Sequence, residues 1–217
     1  MEVGELLASG RDADVFAVDA ERVLRRYRDG GDVSVEATVM GYVGELGYPV
    51  PTVYDAGGAD IVMERLDGPT MLESLVAGEM GEQAGGELLA DLHNRLHLLP
   101  PRLSPDLAAR ILHLDLHPGN VILCARGPVV IDWCNTREGP PDLDVALSAL
   151  ILAQVGVGDH QISASARALM TAFLGVVEGE PATMLEQAVA MRGRDPNLSR
   201  GEVDLLAAAA DLLLANL

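Results

Sequence analysis

The sequence predicts an α+β protein of two lobes, a small antiparallel sheet carrying one helix and then a mostly helical part. Three observations lead there. Residues 1–66 alternate short β-like runs with turn signals in the order β-β-β-α-β-β. From residue 67 to residue 217 helical periodicity dominates. One β-rich island, "NVILCARGPVVIDW", interrupts the helices. With 217 residues and 49% hydrophobic content, the chain can bury a core in one compact domain or in two small lobes.

In the first lobe, "GELLASG" leads into "ADVFAV" and then "AERVLRRY". In the third run Val23, Arg25 and Tyr27 share one face of a strand, and Leu24 and Arg26 the other. In "DGGDVSVEATVMGYVGELGYPVP", Val35, Val39, Tyr42, Val43 and Leu46 recur at helical spacing. Asp32 or Ser34 can cap that helix, and Gly47 with Pro49 stops it. "PTVYDAGG" and "ADIVMERL" read as a hairpin. After the connector "LDGPTMLESL", helices are expected near 70–77 and 82–98, with several more after 142. Within the island two apolar runs flank the turn "ARGP", and "LLAAAADLLLANL" closes the chain as an amphipathic helix.

The formal charge of −18 opposes nucleic-acid and anionic-membrane partners and would welcome a cationic small molecule. All 15 basic residues are arginine, so arginine can stand where other chains use lysine. "MEVGELLASG" lacks a basic region followed by an apolar run, and no segment approaches the roughly 18 to 20 apolar residues that span a bilayer, so a cytoplasmic protein is expected. Cys124 and Cys134 are too few for a disulfide framework.

The chemistry concentrates in "HLDLHPGN", His113 to Asn120. As a metal site, His113, Asp115 and His117 alternate as on one strand face, which suits zinc and a hydrolase. That reading needs further ligands, and His93 and His97 in "LHNRLH" lack the glutamate of an HExxH motif. As a phosphoryl-transfer site, the residues divide differently. Asp115 accepts or orients the proton of an attacking hydroxyl, while Asn120 and Asp132 supply hard oxygen ligands to Mg²⁺. Asp132 ends "VVID", the second strand of the hairpin, whose antiparallel return is expected to bring it towards Asn120.

"HLDLHPGNVIL" followed by "VVIDW" resembles the catalytic loop and metal-binding segment of the aminoglycoside phosphotransferase and choline-kinase-like family, relatives of the protein kinases. The resemblance extends over nearly the whole chain. It implies a two-lobed protein-kinase-like fold: a nucleotide-binding lobe at 1–66, and a helical lobe at 67–217 holding the catalytic loop (113–120) and metal segment (129–133). It implies ATP or GTP, Mg²⁺, and transfer of the γ-phosphate to a small-molecule hydroxyl acceptor. Asp115 matches the catalytic aspartate, and Asn120 and Asp132 the metal ligands. His113 and His117 match loop-bracing positions. Asp144 matches a later aspartate, either an active-site brace or a plain helix cap.

On the nucleotide side, "ASGRDADVF" stands where a glycine-rich loop is expected, with Ser9 and Gly10 to cradle phosphate. Arg25 takes the place of the family lysine and Glu36 that of its helix partner, with Arg26 as rival because a one-residue slip exchanges the faces. Arginine is not a conservative replacement at a tight phosphate site. "VMERLDG" resembles the hinge, with the backbone of Glu64 to Leu66 facing the base and Met63 behind it. Asp142 and Glu138 are candidate acceptor contacts; the arginines of "MRGRDPNLSRGE" suit an anion or a solvated loop. Three readings follow: a small-molecule kinase, a kinase-like nucleotide- or partner-binding module without efficient catalysis, and a zinc hydrolase.

Overall fold

A computed structural model of the chain describes residues 4–10 and 12–217. The chain divides into two compact units, Met1–Gly68 with Ile122–Thr136 and Pro69–Val121 with Arg137–Leu217.

The first unit is built on an antiparallel sheet of β1 (Leu6–Ser9), β2 (Ala13–Ala17), β3 (Arg22–Tyr27), β4 (Val53–Gly57) and β5 (Asp60–Glu64), in the order β1-β2-β3-β5-β4. Helix α1 (Ser34–Glu45) connects β3 to β4, matching the expected order of elements. In the central strand, Arg25 lies opposite Val15 of β2 and Ile61 of β5. Val23 and Leu24 are both buried, so this strand is covered on two faces at its start. Arg26 instead pairs with the exposed Asp60 through Nε and Nη2, at 2.7 and 2.6 Å. Arg25 therefore lies towards Glu36 of α1, and Arg26 towards the surface.

Helix α1 differs from its expected face. Glu36, Val39, Met40 and Val43 are buried, whereas Val35 and Leu46 are 59% and 46% exposed. The buried stripe turns because Glu36 is drawn to Arg25 and Tyr27, a tertiary partnership that outweighs the exposure of one valine. Asp32 accepts from the backbone N–H of Ser34 at 2.9 Å, although Val33 holds the capping position.

The hairpin β7 (Val121–Cys124) and β8 (Gly127–Val130) forms around the turn expected for it. The division drawn from sequence placed this segment with the helices, yet Ile122–Thr136 clusters with the sheet. Its anchors are specific. Val130 N–H donates to Pro49 O at 2.8 Å, and Arg126 binds Val50 O at 3.0 Å and Glu64 at 3.1 and 2.9 Å. Trp133, fully buried, stands edge-on to Tyr48 at 5.7 Å between ring centroids, and such pairs add about 0.5–1.5 kcal/mol beyond area burial. Gly68 permits the close approach: a Cβ there would fall 2.2 Å from Leu123 O.

The second unit contains α2 (Met71–Val76), α3 (Glu82–His97), β6 (Arg110–Leu112), β9 (Arg137–Gly139), α4 (Pro141–Val157), α5 (Ser163–Leu174), α6 (Leu185–Arg192), α7 (Arg200–Asp204) and α8 (Leu206–Leu214). Thr70 starts α2 with a reciprocal capping box to Glu73. Every residue of α4 from Leu143 to Gln154 is buried, as expected of a helix apolar on all sides with neighbours all round. Helices α3 and α5 approach closely because Gly86 lacks a side chain; a Cβ there would lie 2.5 Å from that of Ala172. The three-residue strands β6 and β9 pair with each other and were not anticipated from sequence. Among the described residues no helix is long and apolar enough to cross a membrane.

Candidate active site

The sequence HLDLHPGN folds as a strained turn rather than a strand. Leu114 has φ 65°, a left-handed conformation that bulky side chains avoid and that persists only where its surroundings over-determine it. Asp144 supplies the constraint. Its fully buried carboxylate accepts from the backbone N–H of His113 at 3.0 Å and of Leu114 at 2.6 Å, and from His97 Nε2 at 3.0 Å. Burial works against the charge of Asp144, but the His97 hydrogen bond and the nearby imidazoles hold its carboxyl well below the usual carboxylate range. Pro140 holds the capping position of α4, and Asp144 lies one turn inside the helix with its carboxylate turned to loop 113–114 and His97.

One helical turn along, His93 repeats the pattern. Its Nδ1 bonds Leu89 O and its Nε2 bonds Ser148 Oγ, both at 2.8 Å. His93 and His97 on α3 therefore face Ser148 and Asp144 on α4, two pairs spaced four residues apart on each helix. Sequence reasoning weighed these histidines only as zinc ligands; the matching four-residue spacing on α4 was the signal available.

Asp115 follows the strained residue with its side chain 24% exposed. Asn120, buried at the end of a short 3-10 turn (Pro118–Asn120), donates from Nδ2 to Asp115 O at 2.9 Å and Asp115 Oδ2 at 3.3 Å. Among the described residues Asn120 Oδ1 receives no hydrogen bond, so it presents an oxygen suited to a hard cation. His117 uses Nδ1 to accept from Gly119 N–H at 3.0 Å, and its Nε2 lies 3.8 Å from Asp115 Oδ1. His113 is fully buried and accepts from Asp115 N–H at 3.3 Å. Among the described residues no three His, Cys, Asp or Glu side chains group as metal ligands, and the strand-like alternation required by the zinc reading is absent.

A second cluster lies within the first unit. Arg25 spans two carboxylates, with Nη1 on Glu36 at 2.9 Å and Nη2 on Asp132 at 2.6 Å. Tyr27, which sequence reasoning did not single out, donates to the other Glu36 oxygen at 2.7 Å and lies under the guanidinium at 4.8 Å. Burial opposes the charge of Arg25, but Asp132 and Glu36 hold its pKa above the ordinary arginine value. Burial pushes the Glu36 carboxyl up, against the pull of Arg25 and Tyr27. Asp132 has φ 66°, again left-handed. Each expected metal ligand thus adjoins a backbone or network that fixes it.

The β1–β2 turn is closed on itself. Gly10 N–H donates to Ala13 O at 2.9 Å, Ser9 Oγ donates to Asp14 at 2.7 Å, and Arg28 binds Ser9, Gly10 O and Asp14 at 2.6, 2.8 and 2.6 Å. Ser9 and Gly10 are therefore engaged within the turn rather than arranged as an open cradle, and Arg11 of the same loop lies outside the described residues. In the hinge segment, Glu64 N–H donates to Thr52 O and Arg65 N–H to Glu21 O, both at 2.8 Å, while the Leu66 N–H has no such partner among the described residues. Met63 is half-buried at the end of β5.

Two candidate acceptor contacts serve as loop anchors instead. Glu138 accepts from the backbone N–H groups of Arg102, Leu103 and Ser104, and Asp142 accepts from Glu180 N–H at 2.9 Å. Of the arginine cluster, Arg194 and Arg200 are exposed, whereas Arg192 turns inward, its Nη1 3.9 Å from Asp115 Oδ1.

Comparison with known proteins gives the family and the fold of the chain. The sequence profile of the phosphotransferase enzyme family matches residues 3–107 and 86–179. No curated protein matches the chain. Among solved structures, a thermostable mutant of the aminoglycoside phosphotransferase APH(4)-Ia, in ternary complex with AMP-PNP and hygromycin B, is 15% identical with a TM-score of 0.65, covering 98% of this chain and 92% of that one. The streptomycin–ATP complex of APH(2'')-IIa, 15% identical with a TM-score of 0.60, covers 98% of this chain and 92% of its own. A choline/ethanolamine kinase family protein from Mesorhizobium loti, 16% identical with a TM-score of 0.60, covers 97% and 87%. The α+β, two-lobed kinase-like fold expected from sequence is the fold of these neighbours. By its profile match over most of its length, the chain belongs to the phosphotransferase enzyme family.

Proposed function

We propose that this protein is a small-molecule kinase that transfers the γ-phosphate of ATP or GTP to a hydroxyl of a small acceptor. The observation that carries the proposal is the union of Asp115 and Asn120. The Asn120 amide ties the backbone and carboxylate of Asp115 through Nδ2 and so leaves Oδ1 to a cation. Asp115 would accept a hydrogen bond from the acceptor hydroxyl, align it and take its proton as the phosphoryl group arrives. Asn120 and Asp132 would hold Mg²⁺, whose chemistry is to neutralise charge on the nucleotide phosphates. Arg25 would contact those phosphates while Glu36 and Tyr27 hold it in place, and Leu66 would offer its N–H to the base with Met63 behind it. Asp144, His113 and His117 brace the loop.

Several neighbours are nucleotide complexes: APH(2'')-Ib with ADP, and an amicoumacin kinase with AMP-PNP and Ca²⁺, at TM-scores of 0.59 and 0.51. They support a nucleotide and a divalent cation for this chain. The net charge of −18 would attract a cationic acceptor at long range. A cytoplasmic setting, where the nucleotide is abundant, suits the reaction.

Replacing Asp115 with alanine is expected to lower turnover by about 10²–10⁴-fold while sparing nucleotide binding. Binding is read as thermal stabilisation by ATP or GTP with Mg²⁺, which the Asp132→Ala variant should lose. Unchanged turnover in Asp115→Ala would refute the assignment. A second reading, a nucleotide-binding module without efficient transfer, is favoured by the self-closed β1–β2 turn. It predicts the same stabilisation with no phosphorylated product from any acceptor.

A further inference from the structure

Arg192 is the last residue of α6, and its side chain is 15% exposed. Its Nε donates to Gln154 Oε1 at 3.2 Å, and its Nη1 lies 3.3 Å from Asp195 Oδ2 and 3.9 Å from Asp115 Oδ1. The distance to Asp115 exceeds a hydrogen bond, so the two groups attract without being locked together. Gln154 takes Nε and Asp195 takes Nη1 of the guanidinium. Among the described residues, Nη2 has no acceptor, and it is not one of the buried polar atoms left without a partner. Two N–H donors of a fixed, always-charged group therefore remain available beside the catalytic carboxylate.

A purely structural arginine in a half-buried position would spend its fork on protein acceptors. Arg192 spends only part of it. His117 Nε2 also lies 3.8 Å from Asp115 Oδ1, and because Nδ1 accepts from Gly119, the hydrogen of a neutral ring sits on Nε2. Among the described residues, N–H donors and the Arg192 cation thus lie beside Asp115, although the chain as a whole is strongly acidic. A cationic group placed next to the reacting hydroxyl would meet Arg192 at close range, a like-charge contact that opposes binding.

Resting on the kinase reading above, we propose that Arg192 is a specificity residue of the acceptor site, which selects a hydroxyl compound bearing an anionic group near the hydroxyl that reacts. The anion takes the Nη2 donors, and the hydroxyl is then directed to Asp115. Long-range attraction of cations by the acidic surface and local selection of an anion act over different distances, and at contact the local charge decides.

The test uses two matched series that differ only in charge: galacturonate, galactose and galactosamine, and glycerate, glycerol and 3-amino-1,2-propanediol. Thermal stabilisation of nucleotide-free protein and turnover with Mg²⁺ and ATP are both read. In at least one series the anionic member should act at about tenfold lower concentration than its neutral partner, as a charge-assisted hydrogen bond allows. Arg192→Gln should erase that difference. In the unmodified protein the preference should also weaken as sodium chloride rises, a readout that requires no variant to fold. Equal or better action of the neutral and cationic members in both series overturns the proposal. So does a preference that survives in Arg192→Gln or ignores salt. The kinase reading is judged separately by the Mg²⁺-dependent nucleotide shift and its loss in Asp132→Ala. An anion preference without that shift leaves Arg192 an anion site and removes the kinase; the shift without the preference does the reverse.

Discussion

Loop 113–120 and the β1–β2 turn are both short and are held by opposite means. Loop 113–120 hangs on one fully buried carboxylate with three donors, which tolerates a strained Leu114 at φ 65°. The β1–β2 turn is tied by Arg28 to Ser9, Gly10 O and Asp14, all on the surface. Buried networks are costly to break because a removed partner leaves polar groups dry. Exposed ion pairs are exchanged for water at little cost. One loop is therefore pre-set, and the other can rearrange when a ligand pays the small difference.

The largest expected effect breaks the pre-set side. Asp144→Ala should destabilise the protein by about 3–5 kcal/mol, the cost of removing one partner from a buried charged network, read from urea unfolding. A loss below about 1 kcal/mol, the scale of an exposed pair, would mean that the loop is not held as described. Arg25→Met should come next on the first-unit cluster, at about 3 kcal/mol because Glu36 is left buried without its cation. The loss should shrink as pH falls, since burial already raises the Glu36 carboxyl and it takes up a proton more readily once the guanidinium is gone.

His93 sharpens the comparison through pH. Burial pushes its pKa down from 6.5 to about 4, although the charge of Asp144 pulls the other way. Below pH 6.5 the unfolded chain binds a proton at His93 and the native chain does not until about pH 4. Stability therefore falls as pH drops through that window, by about 1.4 kcal/mol per unit and about 3 kcal/mol in all. Subtracting the curve of His93→Gln isolates this contribution; identical pH dependence in both proteins would contradict it. Smallest of all, Arg28→Ala should leave unfolding by urea nearly unchanged, because its ion pair is exposed to solvent. A marked loss would show the β1–β2 turn to be as rigid as loop 113–120.

How far this contrast was legible depended on the range of the interactions. The order of strands and helices and the hairpin around "ARGP" followed from period and turn residues, whereas alternation alone left Arg25 and Arg26 as rivals until the pairing of Arg25 with Glu36 separated them. Strands β6 and β9 did not, because three-residue strands are too short to show a period. The role of Asp144 stayed open between cap and brace, since one aspartate near a helix start fits both. His97 was legible only as a candidate zinc ligand because its partner Asp144 lies 47 residues away. Glu138 and Asp142 looked like free acids in sequence and proved to be bound to backbone N–H groups, a use that local composition cannot reveal.

By itself the sequence determined which chemical groups are present and in what order: Asp115, Asn120 and Asp132 at their spacing, alternating runs for a sheet, and apolar repeats for helices. Those signals are local, arising from backbone geometry and the side-chain period along one element. Only the tertiary structure decided that Glu36 faces inward, that Asp144 stabilises a left-handed Leu114, and that Arg192 reaches towards Asp115 from 77 residues along the chain. Each depends on burial, where desolvation makes a long-range partner worth more than a local preference.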